Sequence, residues 1–330
     1  MFGPNHPVLG FYHAPPVWVD SAPRTASGTI DPARVLERVY RGTLRSGIAV
    51  AVHRCGTFYF DFSTYPPPAL SPTVDRTDAN AVFNENKALA NRRVVLMNAF
   101  LACLYQAYDK QPTFPFFKMT ILPSSLLKRN SLDGTWLSIN DTRLLDILSR
   151  PESVSWDEAT RRAQTITLDV LAEAFDLFSD LIDHPYADAP LLVDLFLRSV
   201  VGNETDDYTV GLLMAWAVVE KLLNRMWDVY LAETPEQHVR GLLRAKKWAV
   251  KNYPEVSAAA MIDVLTRELR ITADVDGYLT IVRDARNAWM HDLAIVDRQD
   301  AARAKHAAEE MLQVAEGISF NLSMMSNIVY

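Results

Sequence analysis

The run Val275-Asp-Gly-Tyr278-Leu-Thr-Ile281-Val282-Arg283-Asp284-Ala285-Arg286-Asn287-Ala288-Trp289-Met290-His291-Asp292 decides how the second half of this chain is read. On a helix advancing about 100° per residue, Tyr278, Ile281, Val282, Ala285, Ala288 and Trp289 fall on one apolar face, predicted to pack into a bundle. Arg283, Asn287 and His291 are spaced four apart and stack as a polar ladder on the other side, with Asp284 and Met290 beside them. Arg286 lies about 140° around the helix from His291, and its long side chain can swing toward the same groove.

Neighbouring segments predict helices as well. Residues 209–231, 237–252, 256–270, 275–291 and 300–321 have helical patterns, with Pro235 and Pro254 in the first two breaks, which makes the second half an all-α bundle. Upstream, residues 203–207 are polar and follow Gly202, so a domain boundary is expected there, dividing the chain into residues 1–202 and 203–330. The first half reads as mixed and mainly helical. Its first 30 or so residues suggest an irregular arm rich in Pro, Gly, Ser and Thr. Asp31-Pro32 opens a short helix that takes in Val35, Leu36, Val39 and Tyr40. Residues 46–62 form a small β-hairpin, and 84–110 a long helix without Pro or Gly. Segment 113–127 leaves strand and loop both open. A capping-box pattern from Ser155 to Glu158 predicts a helix from Trp156 to Asp183, stopped by His184-Pro185, with a shorter helix from Pro190 to Val201.

Composition narrows the function classes. The chain has 330 residues, 49% of them hydrophobic, and a formal net charge of -7. That charge argues against coating nucleic acid by bulk electrostatics, so any RNA contact needs a local patch. The longest apolar run, residues 212–219, is too short to span a bilayer. The N-terminal stretch lacks a basic start and an apolar run, and a cytoplasmic protein is expected. Two cysteines, Cys55 and Cys103, have no partners at metal-binding spacing and read as buried free thiols. Neither a P-loop nor a dinucleotide-binding glycine pattern is present, and no metal or cofactor is expected.

Chemistry concentrates on the quoted helix. Cleaving RNA by attack of its own 2′-hydroxyl requires a base, an acid for the leaving 5′-oxygen, and positive charge on the phosphorane. His291 can transfer the proton, Arg286 can supply the charge, and Asn287 can donate to a phosphate oxygen or fix the imidazole tautomer. One histidine is a sparse acid–base set, which a second copy facing a common cleft would complete. Glu220, Asn224 and Asp228 form a polar stripe on an otherwise apolar helix, from which Glu220 could orient His291 or pair with Arg286. Arg240, Arg244, Lys247 and Lys251 lie along one helical face beside Trp248, and with Arg283 they are the candidate RNA-binding cations. The same charges also suit an ordinary solvated surface, with His291 favoured by the helix dipole.

Arg286-Asn287-Ala288-Trp289-Met290-His291 resembles the R-N-x3-H signature of the HEPN superfamily. The helix around Trp216 and Glu220 looks like the opening helix of its Apea-like branch, where an aromatic precedes a Glu in an apolar run. The resemblance covers roughly residues 203–325. It implies a compact helical bundle and a homodimer whose motif helices line a shared cleft. It further implies a metal-independent endoribonuclease in toxin–antitoxin, antiphage or RNA-processing roles, with an antitoxin or regulatory protein as partner. Many relatives are inactive as nucleases, so the resemblance equally accommodates a non-catalytic module binding RNA, a nucleotide or a protein.

Overall fold

The computed structural model describes residues 7–13, 17–28, 30–65, 79–110, 118–129, 131–133, 164–245 and 255–323. The chain divides into two compact units, Met1–Asp194 and Leu195–Tyr330. The described residues form a mixed, mostly helical fold with a small antiparallel sheet. None of their helices is long and apolar enough to cross a membrane.

The first unit is built on a five-stranded sheet in the order β3-β4-β5-β1-β6. Its strands are β1 Val8–Tyr12, β3 Arg38–Thr43, β4 Ala49–His53, β5 Thr57–Asp61 and β6 Leu127–Arg129. Strands β4 and β5 make the expected hairpin, turned at Gly56, whose φ of 75° suits glycine. The strand content exceeds that hairpin in three places, one of which forms a separate two-stranded sheet of Val17–Val19 and Gln164–Ile166.

First, the N-terminal stretch is not an irregular arm: β1 lies between β5 and β6, and β2 Val17–Val19 pairs in parallel with β7 Gln164–Ile166. β1 is buried along most of its length, which erases the alternation that marks a half-exposed strand. At its centre, a Cβ on Gly10 would come within 2.5 Å of the Tyr59 ring, so the aromatic on β5 requires a glycine opposite.

Second, the helix opened by Asp31 lasts a single turn, α1 Pro32–Val35, with the Asp31 carboxylate accepting from Ala33 N at 3.1 Å. It cannot continue, because the Val35 and Glu37 carbonyls accept from Cys55 N and Arg54 N in the hairpin turn. The Arg54 guanidinium, 5% exposed, adds ion pairs to Glu37 and Asp20. Tertiary bonding overrides local propensity here, and the chain leaves as strand β3.

Third, the stretch expected as one helix from Trp156 to Asp183 is not helical at Gln164–Ile166. β7 occupies Gln164–Ile166, Thr167 caps Val170 N, and the helix runs as α3 Leu168–Ile182, while the Ser155–Glu158 pattern lies outside the described residues.

Helix α2 Ala79–Asp109 and α3 cover one face of the sheet. Phe58 and Phe60 meet Phe100, which stacks on Phe175 at 4.8 Å and sits edge-on to Phe178. These rings are almost wholly buried and form the core of this unit. A 3-10 turn, Pro123–Ser125, precedes β6. Both cysteines are free and buried, and burial raises both thiols above their ordinary range.

The boundary between units falls inside helix α4 Ala189–Glu204, ahead of the polar stretch that begins at Gly202. That stretch is a close-packed corner, since a Cβ on Gly202 would stand 2.8 Å from Gly211 N. The helices α5 Tyr208–Glu233, α6 Glu236–Ala245, α7 Ala258–Arg267, α8 Ala273–Asp292 and α9 Arg298–Glu316 follow; each overlaps an expected stretch, the last stopping at Gly317 short of residue 321, while residues 246–252 of the second stretch lie outside the described residues.

His53 is 8% exposed on β4. Burial first, then the charges of Arg129 and Arg38, push its pKa down from 6.5 to about 4, while a hydrogen bond that the ring donates to the Leu36 backbone carbonyl pulls the other way. The unfolded chain therefore binds this proton at a higher pH than the folded one. The stability associated with a neutral His53 is fully present above pH 6.5 and is lost as pH falls through about 4. His53→Gln is expected to remove an acid-side loss of about 3 kcal/mol, read as the difference between wild-type and variant urea midpoints at pH 7 and pH 4.

Candidate functional site

Thr272 caps α8 by accepting from Val275 N, and Asp274 and Asp276 in the first turn favour the same end of the helix dipole. Val275, Leu279 and Val282 are buried at helical spacing and fix the rotation of the helix. This stripe differs from the expected face. Leu279 is fully buried, Tyr278, Ala285, Ala288 and Trp289 are half-buried, and Ile281 is 41% exposed. The Tyr278 ring sets the level against α9, edge-on to His306 at 4.6 Å.

Arg286 is the next position on the buried stripe, four residues past Val282, and it is partly buried. Its Nη1 donates to Asn287 Oδ1 at 3.0 Å, so the Arg–Asn pair is assembled within the helix. Arg283 is bound by its neighbour Asp284, with Nη2 at 2.7 Å from Oδ1. His291 is exposed in the last turn. Arg286 is thus bonded to Asn287, which lies one turn before the exposed His291 on the same face, while Arg286 itself is about 140° around the helix from His291.

The expected partnership of Glu220 is not formed. Asn203 Nδ2 reaches Ala301 O at 3.5 Å and its side chain lies against Gly211, so the first turns of α5 and α9 are level. Further along, Arg225 bonds Glu316, so α5 and α9 run parallel, and the Tyr278–His306 contact with the short link after Asp292 makes α8 antiparallel to α9. Glu220 therefore stands near the Glu316 end while His291 lies past the Arg298 end. At a rise of about 1.5 Å per residue, that is a separation of about 20 Å along the bundle. The Glu220 side chain is exposed, and its backbone carbonyl accepts from Asn224 Nδ2 at 2.8 Å.

Of the candidate RNA-binding cations, Arg240 is ion-paired with Glu236 one turn back. Arg244 is exposed at the end of α6, and Lys247 and Lys251, with Trp248, lie outside the described residues.

Two residues that the sequence reading passed over stand at the end of the bundle where Arg286 is found. Tyr208, the first residue of α5, donates its hydroxyl to Asp206 Oδ1 at 2.6 Å, and this bond raises the phenol pKa. Arg298, the first residue of α9, acts on it in the opposite sense. Asp206 itself holds a left-handed φ of 60°, a strained position for a side-chain-bearing residue. The only sequence signal was Asp206-Asp207-Tyr208 at a helix start, which reads as capping alone.

Leu293 ends α8 in the left-handed region, φ 52°, and is 80% exposed, where glycine is the usual residue. Leu293→Gly is expected to leave the fold intact and to raise stability by about 0.5–1 kcal/mol, measured by urea unfolding, because the strain exceeds the entropic cost of glycine.

Compared with protein-family models, with curated proteins and with solved structures, the chain finds no match.

Proposed function

We propose that this chain is a metal-independent endoribonuclease acting as a homodimer, its second unit a HEPN-like bundle, and that it serves in toxin–antitoxin or antiphage defence. The observation that carries the reading is the pairing of Arg286 with Asn287 on the helix that also ends in an exposed His291. The bond uses the Asn287 carbonyl oxygen and leaves its amide nitrogen to donate to a phosphate oxygen beside the guanidinium.

Within one chain, Arg286 and His291 point to different sides of α8, and a single imidazole cannot be base and acid in the same step. Two copies resolve both difficulties. One His291 takes the 2′-hydroxyl proton as the 2′-oxygen attacks phosphorus, and the other, as imidazolium, protonates the departing 5′-oxygen. Arg286 stabilises the charge that develops on the phosphorane. The products are a 2′,3′-cyclic phosphate and a 5′-hydroxyl end. Apolar residues near His291 suit association: Met290 is 49% and Ile295 95% exposed.

Incubation of the full chain with structured RNA in EDTA is expected to give 2′,3′-cyclic phosphate ends. His291→Ala should lower the rate by about 10²–10⁴-fold and Arg286→Ala by about 10²–10³-fold, with helical circular dichroism unchanged. Cleavage retained in both variants would overturn the residue assignment. Saturable RNA binding without products would support a non-catalytic module instead. Ile295→Asp is expected to shift the light-scattering mass from dimer to monomer and to abolish cleavage with it.

A further inference from the structure

The first unit brings arginines together on one face of its sheet. In a regular strand, residues three apart point to opposite faces. A register shift between Arg38 and Tyr40 breaks that alternation in β3, so that Arg38 pairs with His53 and Arg41 with Ala51. His53 and Ala51 share a face, and Ala51 pairs in turn with Tyr59 and Tyr59 with Gly10. Both guanidinium groups therefore stand on the Tyr59 face. Their Nη1 atoms converge on one oxygen, Asp133 Oδ1, at 2.5 and 3.2 Å. A third guanidinium, that of the 4%-exposed Arg129, lies 4.1 Å over the Tyr59 ring. Arg129 and Arg38 both act on His53, whose imidazole is held neutral between them.

We propose that the Arg38–Arg41 fork is a binding site for a phosphomonoester group, with Asp133 as the carboxylate that occupies the fork until such a group displaces it. The bulge aims two cations at one point, and an anion already sits there. Asp133 is 59% exposed, and an exposed bridge of this kind contributes little to stability, so releasing it costs the fold little. A phosphomonoester brings up to two negative charges and three acceptor oxygens where Asp133 brings one charge and two oxygens. It can accept from both guanidinium groups at once. Arg41, 53% exposed, leaves the fork open to solvent on the β3 edge. The same terminal phosphate is carried by a free nucleotide and by a 5′-phosphorylated RNA end. This site goes beyond the ribonuclease reading and does not rest on it.

The full chain is titrated with adenosine 5′-monophosphate and with adenosine. In a second arm the His291→Ala chain, which leaves the probe intact, is titrated with one RNA oligonucleotide bearing either a 5′-phosphate or a 5′-hydroxyl. Binding is expected to depend on the phosphate. Saturation by the mononucleotide identifies a free nucleotide as ligand, and binding confined to the phosphorylated RNA identifies the chain end. Arg38→Ala/Arg41→Ala should weaken binding by about ten-fold or more. Asp133→Asn, which keeps the shape and removes the competing charge, should tighten it several-fold. Affinity indifferent to the phosphate in both arms overturns the proposal. So does an Asp133→Asn chain of unchanged melting temperature whose affinity is equal to or weaker than wild type, and this variant decides the matter if the double arginine variant does not fold. RNA cleavage without phosphate-dependent binding would sink this site and leave the nuclease reading standing.

Discussion

The buried stripe Val275-Leu279-Val282 fixes the chemistry of the second unit, because it sets the rotation of α8. Once those three side chains are inside, every other residue on the helix has its direction assigned by the 3.6-residue turn. Arg286 continues the stripe, Asn287 follows it as a hydrogen-bond partner, and His291 turns outward. A rotation by one residue, about 100°, would bring a different row of side chains into the core. The function proposed here thus depends on a packing contact that contains none of the proposed catalytic atoms.

The first unit shows the same dependence on backbone placement. Its aromatic core of Phe58, Phe60, Phe100 and Phe175 holds the sheet against α2 and α3. The opposite face packs an apolar cluster of its own, Val8, Ala51, Tyr59, Leu127 and Leu132, and also carries Arg38, Arg41 and Arg129. There, one irregularity in β3 decides that Arg38 and Arg41 act together. In both units, charged groups are aimed by the packing of apolar ones nearby.

Much of the helical second unit was legible in the sequence, because half-buried helices keep their apolar spacing and their breaks carry Pro, Gly or capping residues. The hairpin of β4 and β5 was equally plain. What escaped were elements whose signals are erased or overridden. β1 lost its alternation because it is buried along most of its length, and α1 was cut short by hydrogen bonds from Arg54 and Cys55, distant in the pattern though near in sequence. The candidate site was legible as a set of residues on one helix, and not as a geometry. Periodicity placed Arg286 beside the ladder, but the position of Leu279 in the core turned it toward the bundle end. Glu220 looked like a partner for His291 because pattern along one helix says nothing of its level against another. Tyr208 and Arg298 were invisible for the same reason, since each is only the first residue of a capped helix until the ends of α5 and α9 are seen level.

The proposed ribonuclease mechanism requires two copies of His291 at one cleft, and mixing in an inactive chain tests that requirement. Cleavage per wild-type chain is measured as His291→Ala chain is added under conditions of free subunit exchange. A shared cleft predicts that activity per wild-type chain falls toward zero as mixed dimers replace wild-type dimers. Activity per wild-type chain that stays constant while mixed dimers form, or wild-type chain that cleaves no RNA at all, would contradict it.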